Sequence, residues 1–347
     1  MTLFAAKQKL LEWFHHNKRE FPWRLNRDPY RIWISETMLQ QTTTTAVIPF
    51  FERFVKRFPD LESLAQAPVE SVLEAWAGLG YYSRARNLHR AAQELRARGE
   101  FPRDYREWIV LPGLGPYTAR AVASLAFDQS VGVVDGNVIR VISRIYEKDW
   151  EWWRPSVREQ VQNLADEWVQ DVSSPDMNQA LMELGRTVCT PKSPVCLLCP
   201  VRAHCKAFAG NRASELPRPR PRREPEFWVW EPVLDVHKGR IRLVRNTKIP
   251  FLRGQWLLPG LARKVRAKPR EFDYKHSITH HLIYVTVTRE LPTMDKVDTM
   301  WVPLKEIQQH VPTSLVQKAL ARLDRNRASR RVLRPGLEER KKRARKS

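Results

Sequence analysis

No stretch of this sequence approaches the roughly 20 consecutive apolar residues that a membrane-spanning helix needs, which excludes helical membrane passage. The opening residues, MTLFAAKQKLLEWFHHNK, lack a signal-peptide cleavage pattern. Leu3, Leu10, Leu11 and Phe14 instead fall on one side of an amphipathic helix, and a cytoplasmic protein is expected. Acidic residues are scarce as well: 38 Asp and Glu face 60 Lys and Arg, a net charge of +22. An excess of that size points to a polyanion partner whose phosphates it neutralises. Residues 322–347 contain 12 basic and 3 acidic residues, so they account for +9 and leave +13 on the rest. The body is therefore basic without its tail. With 42% hydrophobic residues over 347 positions, the chain has enough apolar material for two domains.

Cysteine is scarcer still. The chain has four, all within 17 positions, at Cys189, Cys196, Cys199 and Cys205, spaced C-x6-C-x2-C-x5-C. A cytoplasmic setting argues against two disulfides. Four thiolates this close suit a tetrahedral metal or a cubane cluster. Zinc sites more often carry two C-x2-C knuckles, and only one occurs here, so a single [4Fe–4S] cluster leads, with zinc and disulfides as the alternatives. Pro191, Pro194 and Pro200 would hold the loop open, and Lys192, Arg202 and Lys206 suggest that it faces phosphate.

Up to the cysteines almost everything reads as helix, for example Pro49–Phe58, Val69–Trp76, Ser83–Arg98 and Ser156–Val172. The segment NRASELPRPRPRREPE is rich in Pro and Arg and has no apolar periodicity, as in an extended linker. Beyond it, EFWVWEPVLDV, GRIRLVRN and HHLIYVTVTREL read as strands and Pro312–Leu323 as a closing helix. The expected class is multidomain. An all-α domain (1–208) with a metal loop (189–205) precedes a linker (209–226), a smaller α+β domain (227–324) and a basic tail (325–347), predicted to be disordered.

Within the helical part, LPGLGPYTARAVASLAF joins two helices by a tight turn. Gly113 and Gly115 permit positive φ and close backbone approach. The helix start offers unpaired N–H groups to a phosphate, and Thr118 would cap or add a hydroxyl. A plain αα-corner is the alternative. Some twenty residues on, Asp135 follows the apolar run VGVV and precedes Gly136 and Asn137. It is a candidate N-cap and equally a candidate for catalysis on a DNA sugar. Upstream, Glu36 lies among Ile32, Trp33, Ile34, Met38 and Leu39. Apolar surroundings disfavour its ionised form and suit a general acid; a solvent-facing Glu on an amphipathic helix is the alternative. Gln40 and Gln41, followed by four threonines, are unusual for a buried seam, and their amides would pair with base edges.

Together these segments resemble the helix–hairpin–helix, Gly/Pro…Asp DNA glycosylases, whose endonuclease III and MutY branches carry a similar cysteine loop. FPWR (Phe21–Arg24), SETMLQQT (Ser35–Thr42), GLGYYSRARNL (Gly78–Leu88), VDGNV (Val134–Val138) and NQALMELG (Asn178–Gly185) are similar to MutY-type adenine DNA glycosylases over nearly all of residues 1–208. The resemblance implies a monofunctional enzyme acting on double-stranded DNA with adenine opposite 8-oxoguanine or guanine. Glu36 would protonate adenine N7, and Asp135 would stabilise the sugar cation. Tyr117 and Asn137 would position these groups and water. Gln41, with Thr42 beside it, would fill the emptied stack, and Tyr81 would wedge beside the oxidised guanine. Arg24 and Glu183 would line the adenine pocket. Gly113, Gly115 and Thr118 would grip the backbone, and Cys189, Cys196, Cys199 and Cys205 would bind the cluster. Bifunctional relatives place a lysine where Tyr117 stands, and a phenol cannot form their imine. A monomer without membrane association is expected.

The family also carries a Nudix-like C-terminal domain that senses 8-oxoguanine. Here GQWLLPG (Gly254–Gly260) resembles the strand–turn entry of that fold. The Glu-rich metal helix of a hydrolase is missing; LARKVRAKPREF has one acid and five basic residues in its place, so nucleotide pyrophosphatase activity is rejected. The family's lesion-reading Phe-Ser-His triplet is replaced by Ile278-Thr279-His280. Thr279 keeps a hydroxyl for the lesion, His280 stays, and the stacking ring is lost.

Overall fold

The computed structural model describes residues 2–221, 223–288, 298–311 and 313–322. The basic tail at 325–347 and Pro312 lie outside them. The chain divides into two compact units, residues 1–221 and 222–347.

The first unit is helical. Two apolar cores organise it. One is built by α1 (Leu3–Asn17) with the later helices α9 (Gly136–Ile145), α10 (Pro155–Val169) and α11 (Ser174–Thr187). Ala6, Leu10 and Phe14 of α1 meet Val141, Ile142, Trp168 and Leu181 there. The other is built by α2 (Pro29–Leu39), α3 (Thr44–Arg57), α4 (Leu61–Gln66), α5 (Val69–Ala75), α6 (Ser83–Arg98), α7 (Tyr105–Trp108) and α8 (Pro116–Phe127). Trp33, Phe51, Phe54, Trp76 and Trp108 are its fully buried aromatics. Helix α3 starts at Thr44, five residues earlier than its apolar pattern suggests, with Thr43 as N-cap and Pro49 inside it. A short α12 (Lys206–Ala209) follows the cysteine loop.

Two glycines position the functional segments. Gly113, in the α7–α8 turn, has φ +81°, and a Cβ there would stand 2.6 Å from that of Asn87. Gly115 does not share the conformation expected of it: its φ is −85° and it serves as the N-cap of α8. Gly132, in the extended run that leads to Asp135, lies so close to α10 that a Cβ would fall 2.5 Å from the Ala165 carbonyl carbon. Its N–H donates to Asp166 Oδ1 at 2.7 Å, and its carbonyl accepts from Gln162 Nε2 at 2.9 Å.

The second unit is α+β. One sheet has the order β5-β1-β7-β6, formed by β1 (Glu226–Pro232), β5 (Gly260–Val265), β6 (Tyr274–Ile278) and β7 (His281–Val285). β1 and β7 run parallel, and the other neighbours are antiparallel. In the other sheet β3 (Arg240–Arg245) pairs antiparallel with β2 (Val236–His237), β4 (Trp256–Leu257) and β8 (Thr299–Pro303). Trp230, Ile241, Leu243, Ile283 and Val285 face Leu315, Val316 and Ala319 of the closing helical stretch at 314–322. The basic segment after GQWLLPG forms strand β5 and then a loop, so no carboxylate-bearing helix stands there.

Replacing Gly132 by Ala is expected to force α10 away from the segment that delivers Asp135. The expected loss is about 1–3 kcal/mol of stability, read from chemical denaturation.

Candidate active site

Each functional carboxylate is placed by a helix terminus or a helix face. Asp135 caps α9. Its Oδ1 accepts from the backbone N–H groups of Asn137 (2.8 Å) and Val138 (2.7 Å), and its Oδ2 accepts from Asn137 Nδ2 at 2.8 Å. The buried run Val131–Val133 anchors the approach, because Asn178 Oδ1 accepts from Val133 N and its amide donates to the Val131 carbonyl. Three donors favour the charged carboxylate, yet burial outweighs them and lifts the Asp135 pKa above the ordinary aspartate value.

Glu36 sits inside α2 and is buried, so the solvent-facing alternative does not apply. One oxygen, Oε2, is buried without a hydrogen-bond partner. Burial pushes its pKa up, against the Tyr117 hydroxyl bonded to it and the nearby Arg24. Tyr117 stands in the first turn of α8, half-buried, with its hydroxyl also 3.7 Å from Met182 Sδ. Burial and then the two acids, Glu36 and Asp135, raise the phenol's pKa, so it stays neutral and donates. Glu36, Tyr117, Asp135 and Asn137 thus share one electrostatic neighbourhood.

A cavity of about 310 Å³ opens beside Glu36, lined by Arg24, Trp23, Ile32, Gln179 and Met182 among others. Arg24 lies 4.8 Å over the Phe21 ring. Glu183 does not line this cavity: it is buried and its carboxylate is taken by Arg186, although it acts on Arg24 electrostatically. Thr118 also departs from expectation. It is buried, and its hydroxyl accepts from Gln40 Nε2 at 3.0 Å. The Thr118 hydroxyl is thus engaged inside the fold, with the half-buried Gln40 amide as its partner. Gln41 and Tyr81 are exposed, with φ of +60° and +49°, and Thr42 is half-buried beside the first. In the second unit Thr279 is exposed and His280 half-buried. His281 is buried, its ring tilted against Phe251 at 5.9 Å between centroids and its Nε2 3.5 Å from Glu226.

The four cysteines are unbonded to one another and each is half-buried. Burial first, and then the neighbouring cysteines, raise the pKa of Cys196, Cys199 and Cys205, and Cys199 is pushed up to about 12. Among the described residues, no three of their sulfurs lie within 4.8 Å of one another. Tetrahedral zinc, with Zn–S near 2.3 Å, would draw them to about 3.8 Å. Four thiols in one loop are the donor set of a metal or cluster site.

Sequence reasoning missed the residues that join this loop to the carboxylates. Arg140 Nη2 donates to Asn137 Oδ1 (2.8 Å) and the Gly185 carbonyl (2.7 Å), while its Nε donates to the Cys189 carbonyl (2.7 Å). Arg144, one turn on and fully buried, donates to the carbonyls of Thr190 (2.8 Å), Pro191 (3.0 Å) and Leu216 (2.8 Å) and lies 3.3 Å from Cys189 Sγ. Two arginines four apart on a strongly amphipathic helix were the available signal. Arg144→Leu orphans three carbonyls and is expected to cost at least about 3 kcal/mol, seen as a lower denaturation midpoint.

Residues 34–171 match the model of the HhH-GPD superfamily base excision DNA repair proteins. Over 307 residues the chain is 31% identical to an adenine DNA glycosylase of Buchnera aphidicola subsp. Baizongia pistaciae, which covers 82% of this chain and 86% of that one. It is 43% identical over 223 residues to the adenine DNA glycosylase of Mus musculus, of whose length it spans only 43%. Among solved structures, a thermostable thymine-DNA glycosylase aligns with a TM-score of 0.56 at 28% identity, over 60% of this chain and 97% of that one. Endonuclease III, trapped as a covalent DNA intermediate, aligns with a TM-score of 0.51 at 25% identity, over 61% and 99%. With one relative matched along most of both chains, and the family span enclosing every position from Glu36 to Asp135, the chain belongs to the adenine DNA glycosylases of the HhH-GPD base excision repair superfamily.

Proposed function

We propose that this protein is a monofunctional glycosylase that removes adenine from double-stranded DNA where it lies opposite 8-oxoguanine or guanine. The observation that carries this reading is the buried Glu36 carboxyl, its pKa raised and one oxygen unpartnered, beside a base-sized cavity. Adenine N7 and C1′ are unreachable in a stacked duplex, so the base must be everted. Glu36 then delivers its proton to N7. The C1′–N9 bond breaks, its electron pair leaves with the base, and positive charge develops on the sugar. Asp135, held by Asn137 and the start of α9, stabilises that charge until water adds at C1′ and gives up a proton. Tyr117 has no amine to form an imine, so strand cleavage does not accompany excision.

Other residues serve binding. The turn at Gly113 and the N-terminus of α8, which no side chain caps, suit a backbone phosphate. Gln41 and Tyr81 suit insertion into the opened stack. Thr279 and His280 suit the opposing lesion, and the basic surplus of the chain suits the duplex at large. Cys189, Cys196, Cys199 and Cys205 would hold a [4Fe–4S] cluster, a group that can serve structure or electron transfer when bound. Work on chromosomal DNA in the cytoplasm fits this set.

Glu36→Gln and Asp135→Asn should each slow single-turnover excision at least about 100-fold while duplex binding stays near wild type. Wild-type turnover should fall as pH rises through the raised Glu36 pKa, because the acid loses its proton. Stability has the same sign. The folded chain keeps protons on Glu36 and Asp135 that the unfolded chain has released, so stability drops as pH climbs from the ordinary carboxylate range through the raised values. At neutral pH Glu36→Gln should therefore resist denaturant better than wild type. Across duplexes with A opposite 8-oxoguanine, G or C, with T opposite G, and with oxidised pyrimidines, the first should be cut fastest. A faster T:G or pyrimidine reaction would overturn the substrate assignment.

A further inference from the structure

Two turns of the first unit share a single half-buried support. Gln41 ends the turn after α2, and Tyr81 ends the Gly78–Tyr81 turn before α6; both residues have left-handed backbones, as do Gly78 and Gly80. Tyr81 leaves 58% of its surface exposed. Between the turns lies Arg84, in the first turn of α6. Its Nη1 donates to the carbonyls of Thr37 (2.8 Å), Met38 (3.0 Å) and Gln40 (2.6 Å), which the end of α2 leaves without helical partners. Its Nη2 reaches the carbonyls of Leu79 and Gly80, each at 3.4 Å. The guanidinium also sits 5.5 Å from the ring of Tyr81 and 5.5 Å from that of Trp76, whose indole donates to the Gly80 carbonyl at 3.2 Å. On the far side the Gln40 side chain is bonded to Thr118, which registers the end of α2 against the α8 turn. Arg84 itself does not line the cavity beside Glu36.

We propose that Arg84 is a positioning residue for base eversion. It fixes the angle and spacing at which Gln41 and Tyr81 enter the duplex, and it takes no part in breaking the glycosidic bond. The inference rests on the glycosylase reading above. A side chain that replaces a base in the stack must be held before it enters, because ordering it during eversion would raise the barrier. Arginine suits the task where lysine does not: one planar group spans five carbonyls from two turns and still presents a face to the Tyr81 ring.

The test uses the full-length protein in single turnover on two duplexes of one sequence. In one, the target adenine is paired with 8-oxoguanine; in the other the same adenine is an unpaired bulge, which needs far less work to evert. Arg84→Met keeps the stem and removes every donor. It should slow the paired reaction roughly tenfold or more and the bulged reaction less than about threefold, with the pH profile unchanged on both. Arg84→Lys should shift the same ratio in the same direction by less, and it carries the test should Arg84→Met fold poorly by circular dichroism. In a Gln41→Ala, Tyr81→Ala background, adding the Arg84 change should alter the paired rate less than about twofold, because the side chains it aims are gone. Equal slowing on both duplexes, or full additivity in that background, overturns the inference and leaves the glycosylase reading standing. A wild type inert on both duplexes sinks that reading and the inference with it.

Discussion

Helix α9 is the member on which the rest of the site depends. Its first turn is closed by Asp135, whose carboxylate satisfies two backbone N–H groups that the helix cannot pair for itself. One and two turns later Arg140 and Arg144 leave the same helix and tie down the chain around Cys189. Asn137 closes the circuit by facing Asp135 with its amide nitrogen and Arg140 with its oxygen. Gly185 makes this possible: a Cβ there would stand 2.6 Å from that of Asn137, so α11 can approach only without one. A capping bond, ordinarily a local device, is here continuous with the scaffold of the cysteine loop.

The first turn of α8 answers this on the opposite wall. Tyr117 and Glu36 come from helices packed into the other core, and the site lies where the two cores of one unit face each other. The two carboxyls are handled differently. Burial raises the pKa of both, but Asp135 accepts three hydrogen bonds that favour its charged form, while one oxygen of Glu36 has no partner and favours a retained proton. That separation of roles between like groups is what acid catalysis beside a developing cation requires.

Much of this was legible in the residues. The apolar neighbours of Glu36 announced a buried carboxyl, the VDGN run announced a cap, and the cysteine spacing announced one compact loop. Helix periodicity located α5, α6 and α10 to within a few residues. What escaped were the polar groups whose partners are backbone carbonyls. Thr118 and Gln40 look like DNA-facing groups in a polar stretch, yet they pair with each other inside the fold, because their helices cross there. Arg84, Arg140 and Arg144 sit among many basic residues in a chain of +22, and only the four-residue spacing of Arg140 and Arg144 on amphipathic α9 sets two of them apart. Composition makes every arginine look like a phosphate contact, and only packing reveals those that are structural. Gly115 was misjudged for a related reason: in a Gly-x-Gly turn only one of the pair has to turn left-handed.

The left-handed backbones of Gln41 and Tyr81 set function against stability. Each side chain there strains the backbone by roughly 1–2 kcal/mol relative to glycine. No neighbour stands within 4 Å of a Cβ on adjacent Gly80, so crowding does not fix the composition of that turn. Selection for stability alone would drift both positions toward glycine or asparagine. A stabilising redesign guided only by backbone preference would therefore erase these two residues first.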